Sequence, residues 1–181
     1  LKLDQGYDLG LYTDMSALRS DLEIQWANKR VLNLYSYTGA WSLFPLEKGA
    51  SEVVSVDLSS KYLDWLDENL AVNPQLNRER HRRLDKDTLS ALKELLKSGE
   101  TFDVIFCDPP SFSSDGKKTS SSLKSYEELI PLFNKLLAPK GSALCFINTH
   151  SVTRKKFEER IRENIKGTSL KVVNKLVLRE D

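Results

Sequence analysis

Apolar residues come in short blocks along this chain, and the blocks alternate between two spacings. Near-continuous apolar runs predict β-strands at Val31 to Tyr35, Glu52 to Asp57, Phe102 to Cys107 and Ala143 to Asn148. A shorter run ends near Leu84, and a last one covers Leu170 to Leu178. Between the runs the spacing is helical. Asp14 to about Ala27 puts Met15, Leu18, Leu22 and Trp26 on one face, with Asp14 as a possible N-cap. Ala40 to Lys48 is a helix closed by Gly49, and Ser59 to Val72 is one stopped by Asn73-Pro74. Thr88 to Lys97, Tyr126 to Leu137 and Thr153 to Ile165 complete the set. Ser111 to Ser122 has no apolar period and reads as a loop, and Pro139-Lys140-Gly141 reads as a turn. The opening residues, with Gly6 and Gly10, read as a short N-terminal arm.

Strand and helix alternate throughout. Parallel strands need crossovers, so this order predicts an α/β, doubly wound, mostly parallel sheet with helices on both faces. Runs apolar on both sides fit strands covered on both sides. The length suits a single domain, with arm and first helix in residues 1–30 and the core in 31–181. Ligands of such sheets bind beyond the carboxyl ends of the strands.

Every candidate site residue falls at such an end. The first strand leads into Ser36-Tyr37-Thr38-Gly39, where a residue without Cβ lets a ligand approach the backbone. The second ends in Asp57, which could accept from ribose hydroxyls or cap the next helix. Asp87 and Thr88 follow the third strand, with adenine binding and N-capping as the two readings. The fourth ends in D-P-P-S-F, Asp108 to Phe112, where two prolines remove backbone donors and leave carbonyl acceptors beside a carboxylate. This turn is the most specific of the four.

Composition narrows the class. With 40% hydrophobic and 29% charged residues and a net charge of +1, the chain is neither disordered nor a strongly basic nucleic-acid binder. No run reaches membrane-span length and no secretory leader pattern opens the chain. Cys107 and Cys145 sit in strand-like runs, which fits a reducing, cytoplasmic setting. Two histidines without clustered cysteines argue against a metal site. The first glycine turn lacks G-x-G-x-x-G, which weakens a nicotinamide reading. The chain begins at Leu1 and its single methionine is Met15, which implies a piece of a longer protein.

N-L-Y-S-Y-T-G, V-V-S-V-D-L-S and F-D-V-I-F-C-D-P-P-S-F together resemble the class I S-adenosylmethionine-dependent methyltransferases, which are Rossmann-like. More narrowly, they resemble those that modify large-subunit ribosomal RNA at cytosine carbon or guanine nitrogen. The opening D-L-G-L-Y-T-D-M is similar to that family's arm. The resemblance implies S-adenosyl-L-methionine as cofactor and RNA as partner. By position, Ser36 to Gly39 would wrap the methionine part, Asp57 hold the ribose, and Asp87 with the Thr88 N–H hold the adenine. Tyr12 and Asp14 would close the pocket. Asp108, Pro109 and Pro110 would face the methyl group and the target base, with Phe112 either stacked on that base or plugging the loop.

The cytosine-carbon branch carries a cysteine nucleophile after the fifth strand. Here that segment is F-I-N-T-H, and both cysteines read as unreactive core residues, so the guanine-nitrogen branch is nearer. Asn148 could contact the base or simply precede a helix, and His150 reads as a loop residue. Lys117-Lys118 and Arg154-Lys155-Lys156 flank the strand ends and could meet phosphates. Arg78 to Arg83 precedes its strand and reads as a far-edge run. A methyltransferase for a small molecule or protein, and a non-catalytic cofactor-binding module, remain as alternatives. The sequence leaves the oligomeric state open.

Overall fold

The structure, a computed structural model, describes residues 10, 15–22, 24–110, 122–148 and 152–173. Its strands are β1 (Arg30–Leu34), β2 (Glu52–Asp57), β3 (His81–Asp85), β4 (Phe102–Cys107) and β5 (Leu137–Cys145). Its helices are α1 (Ser16–Asp21), α2 (Ala40–Glu47), α3 (Ser60–Ala71), α4 (Thr88–Lys97), α5 (Ser122–Leu136) and α6 (Arg154–Asn164). The strands form one sheet in the order β3-β2-β1-β4-β5, and every pairing is parallel. The winding reverses between β1 and β4, which places a crevice there.

The alternation along each strand sorts side chains to two cores. Leu32, Leu34, Val54, Val56, Ile105 and Cys107 face α4 and α5. Val31, Val53, Val104 and Phe106 face α2 and α3. The second face also buries a polar chain. Asn33 Nδ2 donates to Ser42 Oγ at 2.8 Å, Ser42 and Ser55 hydroxyls lie 2.7 Å apart, and Ser55 Oγ is 2.8 Å from His81 Nε2. Burial pushes the His81 imidazole down from 6.5 to about 4, outweighing the pull of Asp67. Between those values the unfolded chain takes up a proton and the folded chain does not. Stability is therefore full above pH 6.5 and falls as pH drops toward 4, by up to about 3 kcal/mol. Urea midpoints at several pH values should reveal this slope, and His81→Gln should flatten its histidine part.

The amino ends of the strands are tied by charge. Arg30 Nε donates to Glu52 at 2.8 Å, Nη1 to the Thr101 carbonyl at 2.7 Å and Nη2 to Glu100 at 2.9 Å. Arg82 reaches the same Glu100 at 2.7 Å, and Asp103 takes Lys29 and the Arg30 N–H. This network lies at the end of the sheet opposite the crevice.

The structure departs from the sequence reading in four places. The first helix covers only Ser16–Asp21, and Leu22 is already extended. The extended segment seats Trp26 against Phe106 (5.8 Å, stacked) and Phe44 (5.9 Å, edge-on), so burial of one indole overrides local helical spacing. Pro139-Lys140-Gly141 lies inside β5: Ala138 to Gly141 bulge between the Phe102–Leu137 and Val104–Ser142 pairs. A Cβ on Gly141 would sit about 3 Å from the Ala138, Asp103 and Phe102 carbonyls. α5 begins at Ser122, earlier than Tyr126. Leu170 to Val173 are not strand, and the rest of that expected strand lies outside the described residues.

Candidate active site at the carboxyl ends of the strands

Register sets the geometry. Leu84, Val56, Leu34, Cys107 and Cys145 form one row across the sheet. The next residue on each strand is Asp85, Asp57, Tyr35, Asp108 and Phe146. Three carboxylates thus line one rim. Asp57 and Asp108 flank β1, so their backbones stand about 10 Å apart.

The turn after β1 is strained. Tyr35, Tyr37 and Gly39 all have positive φ, at 57°, 50° and 90°. Two tyrosines in the left-handed region cost roughly 1–2 kcal/mol each and persist only where their surroundings hold them. The Tyr37 N–H donates to Asp57 Oδ2 at 2.9 Å, and the Tyr37 ring meets Tyr62 of α3 edge-on at 4.6 Å. Burial pushes the Tyr35 phenol up to about 12. Thr38 is held at both its hydroxyl and its carbonyl. Its hydroxyl donates to the Gly10 carbonyl at 2.6 Å, and its carbonyl accepts from Asn69 at 2.9 Å. Thr38 therefore ties the turn to the arm and to α3.

Gly39 corrects the sequence reading. A Cβ there would lie 2.4 Å from Leu66 Cγ, so the space it leaves is filled by α3 and not held open for a ligand. Ser36 is the turn residue with unused capacity. Its hydroxyl is buried and has no partner among the described residues. A buried orphan hydroxyl costs about 1–3 kcal/mol, which a bound polar group would relieve. This fits the amino-acid end of S-adenosylmethionine.

Asp57 does not cap α3, whose N-cap is Ser59; its carboxylate instead braces the turns on either side of it. Oδ1 accepts the Ser59 N–H and Oδ2 the Tyr37 N–H, both at 2.9 Å. Each oxygen keeps further acceptor capacity for a ribose hydroxyl. Asp87 is the N-cap of α4: Oδ1 accepts the Ser90 N–H at 3.0 Å, and the bonds from Ser90 hold its carboxyl below the usual range. Leu58, which the sequence reading does not single out, directly follows Asp57 and is 72% exposed. An apolar residue stranded between a strand-end acid and a helix start was the available sign.

On the acceptor side, Asp108 is half-buried, Pro109 buried and Pro110 exposed. Asn148 is exposed after β5. Cys107 is buried, and the Cys145 sulfur is enclosed although its residue keeps some exposed surface. Burial pushes both thiols up, Cys145 to about 12, so neither is a thiolate nucleophile at neutral pH. In the Arg78–Arg83 run, Arg78 and Arg80 are exposed, Arg80 reaching the Ala50 carbonyl, while Arg82 pairs with Glu52 and Glu100 and Arg83 with Asp64, Asp67 and Asp85. Arg154, Lys155 and Lys156 are exposed on the first turn of α6. Tyr12, Asp14, Phe112, Lys117, Lys118 and His150 lie outside the described residues.

A doubly wound parallel sheet with acidic strand ends around a strained turn is an architecture that binds nucleoside ligands at the strand ends. The S-adenosylmethionine-dependent methyltransferase family model matches residues 1–179, and the chain belongs to that family. It is 38% identical over 144 residues to ribosomal RNA large subunit methyltransferase K of Neisseria meningitidis serogroup B, covering 78% of this chain and 40% of that protein. It is 36% identical over 141 residues to ribosomal RNA large subunit methyltransferase I of Aeromonas salmonicida, covering 78% of this chain and 35% of the relative. The chain thus spans well under half the length of these relatives. Among solved structures, SMU.776 complexed with SAH superposes with a TM-score of 0.79 at 29% identity, covering 86% of this chain and 41% of that one. A SAM-dependent methyltransferase from Agrobacterium tumefaciens (TM-score 0.72, 22% identity, 86% of this chain and 51% of that one) shares the fold. No helix among the described residues is long and apolar enough to cross a membrane.

Proposed function

We propose that this chain is a catalytic domain that transfers a methyl group from S-adenosylmethionine to a base of ribosomal RNA, at a guanine nitrogen. The observation that carries the reading is the rim where Asp57 and Asp108 flank the strained β1 turn. One side of it suits a nucleoside cofactor and the other a base.

The cofactor supplies an electrophilic methyl on a sulfonium. The chain's own residues bind and aim. Ser36 Oγ would meet the amino-acid end, Asp57 the ribose hydroxyls, and Leu58 with the Asp87–Thr88 segment the adenine. Asp108 and the Pro109 carbonyl are acceptors in a turn whose two prolines contribute no N–H of their own. For an exocyclic amine they would take its hydrogens and direct the nitrogen lone pair toward the methyl. For a ring nitrogen already in its nucleophilic form, positioning suffices. A base in a paired region would first leave its stack. The guanine-nitrogen choice is supported by Cys107 and Cys145, which are too buried and too firmly protonated to attack a cytosine ring. The exposed cations of the α6 first turn would meet RNA phosphates.

Labelled methyl transfer to unmodified ribosomal RNA tests the reading. Wild-type protein should label a single guanosine. Asp108→Ala should lower the single-turnover rate by about a hundredfold while cofactor affinity stays within about twofold. Cofactor binding without RNA labelling would move the acceptor to a small molecule or protein, and label on cytosine carbon would overturn the guanine assignment.

A further inference from the structure

Tyr126 is a core residue with a polar end, and that end lies beneath the acceptor side of the rim. The residue is fully buried on α5, its ring 5.5 Å from that of Phe157 on α6. Its hydroxyl is 2.9 Å from the Cys107 carbonyl oxygen and 2.6 Å from the Phe146 carbonyl oxygen. A phenol carries one proton, so the two carbonyls share a single donor. The Phe146 N–H donates to the same Cys107 carbonyl at 2.9 Å. Beyond these bonds the two segments separate, one into Asp108-Pro109-Pro110 and the other into Ile147-Asn148. Two of the three residues of the proline turn have no N–H to donate.

We propose that Tyr126 is a positioning residue for methyl transfer: its hydroxyl ties the tips of β4 and β5 and so fixes the Asp108–Pro110 turn against the Phe146–Asn148 segment. The inference rests on the methyltransferase reading above. Burial keeps the phenol protonated well beyond its ordinary range, so the donor is present at every working pH. The tie belongs to the acceptor side. The cofactor-side contacts of Asp57 run instead to Tyr37 and Ser59. Loss of the hydroxyl is therefore expected to slow transfer and leave cofactor affinity alone.

Tyr126→Phe removes the oxygen and keeps the ring. Calorimetry should find S-adenosylmethionine affinity within about twofold of wild type, while single-turnover transfer slows by about tenfold or more at unchanged KM for RNA. Phe157→Leu loosens the ring and keeps the hydroxyl, so its transfer rate should stay within about threefold. An unchanged rate in Tyr126→Phe, a matching loss of cofactor affinity, or equal slowing in Phe157→Leu overturns the proposal. A Tyr126→Phe chain that does not fold moves the test to 3-fluorotyrosine at position 126. Its altered donor strength should change the rate by about twofold with affinity intact, and an unchanged rate again overturns the proposal. Wild-type protein that binds cofactor but labels no RNA defeats the functional reading separately. The tie is then read by amide exchange at Phe146, expected to be about tenfold faster in Tyr126→Phe, and unchanged protection overturns it.

Discussion

Asp57→Ala is expected to weaken S-adenosylmethionine binding by about a hundredfold or more. Two losses add. The first is a charged acceptor for the ribose hydroxyls, worth about 1.5–3 kcal/mol. The second is the bond that holds the Tyr37 N–H, and with it a left-handed tyrosine in the turn. Without that bond the turn relaxes toward commoner backbone conformations, and the Ser36 hydroxyl moves with it. Asp57→Asn keeps an acceptor oxygen and should cost only about tenfold. Isothermal titration on the three proteins reads both values. Equal affinities for wild type and Asp57→Ala would remove the ribose assignment.

Gly39→Ala is expected to destabilise the chain by about 2–4 kcal/mol. The added Cβ meets Leu66 Cγ at 2.4 Å and Cδ1 at 2.6 Å, at a φ of 90°. Leu66 is fully buried and cannot swing away cheaply. Leu66→Ala in the same chain should return the steric part and leave the backbone part, so the two changes should be strongly non-additive. Urea denaturation of the two single variants and the double variant measures the coupling. Additive losses would mean that the glycine is required for φ alone.

How much of this was legible in the sequence depends on what each residue answers to. The strands were readable because β1, β2 and β4 are apolar on both faces, and only a covered parallel sheet tolerates that. The strand-end acids were readable because topology alone carries them to one rim. The first helix was misread because Trp26 answers to Phe106 and Phe44, partners far along the chain from it. Gly39 was given the wrong reason for the same cause: its constraint comes from Leu66, on a helix that no local pattern ties to the turn. Thr38 reads as a ligand contact in the sequence, and the structure adds a tether to Gly10, since nothing in a sequence says which partner a hydroxyl will choose. Asp87 was legible in kind, as an N-cap or an adenine contact, and its bond to Ser90 realises the first without excluding the second.

The strand order has a consequence for how such a protein can diversify. Ser36, Asp57 and Asp87 all come from the chain before β4, while Asp108, Tyr126 and Asn148 all come from β4 onward. In the sheet these halves are joined by one ladder, Val31 to Leu34 against Val104 to Cys107. On the proposed reading, the residues assigned to the cofactor thus precede β4 in the chain, and those assigned to the acceptor come from β4 onward. On that reading, substitutions, insertions or recombination in the second half would change what is methylated while the first half goes on holding the same methyl donor.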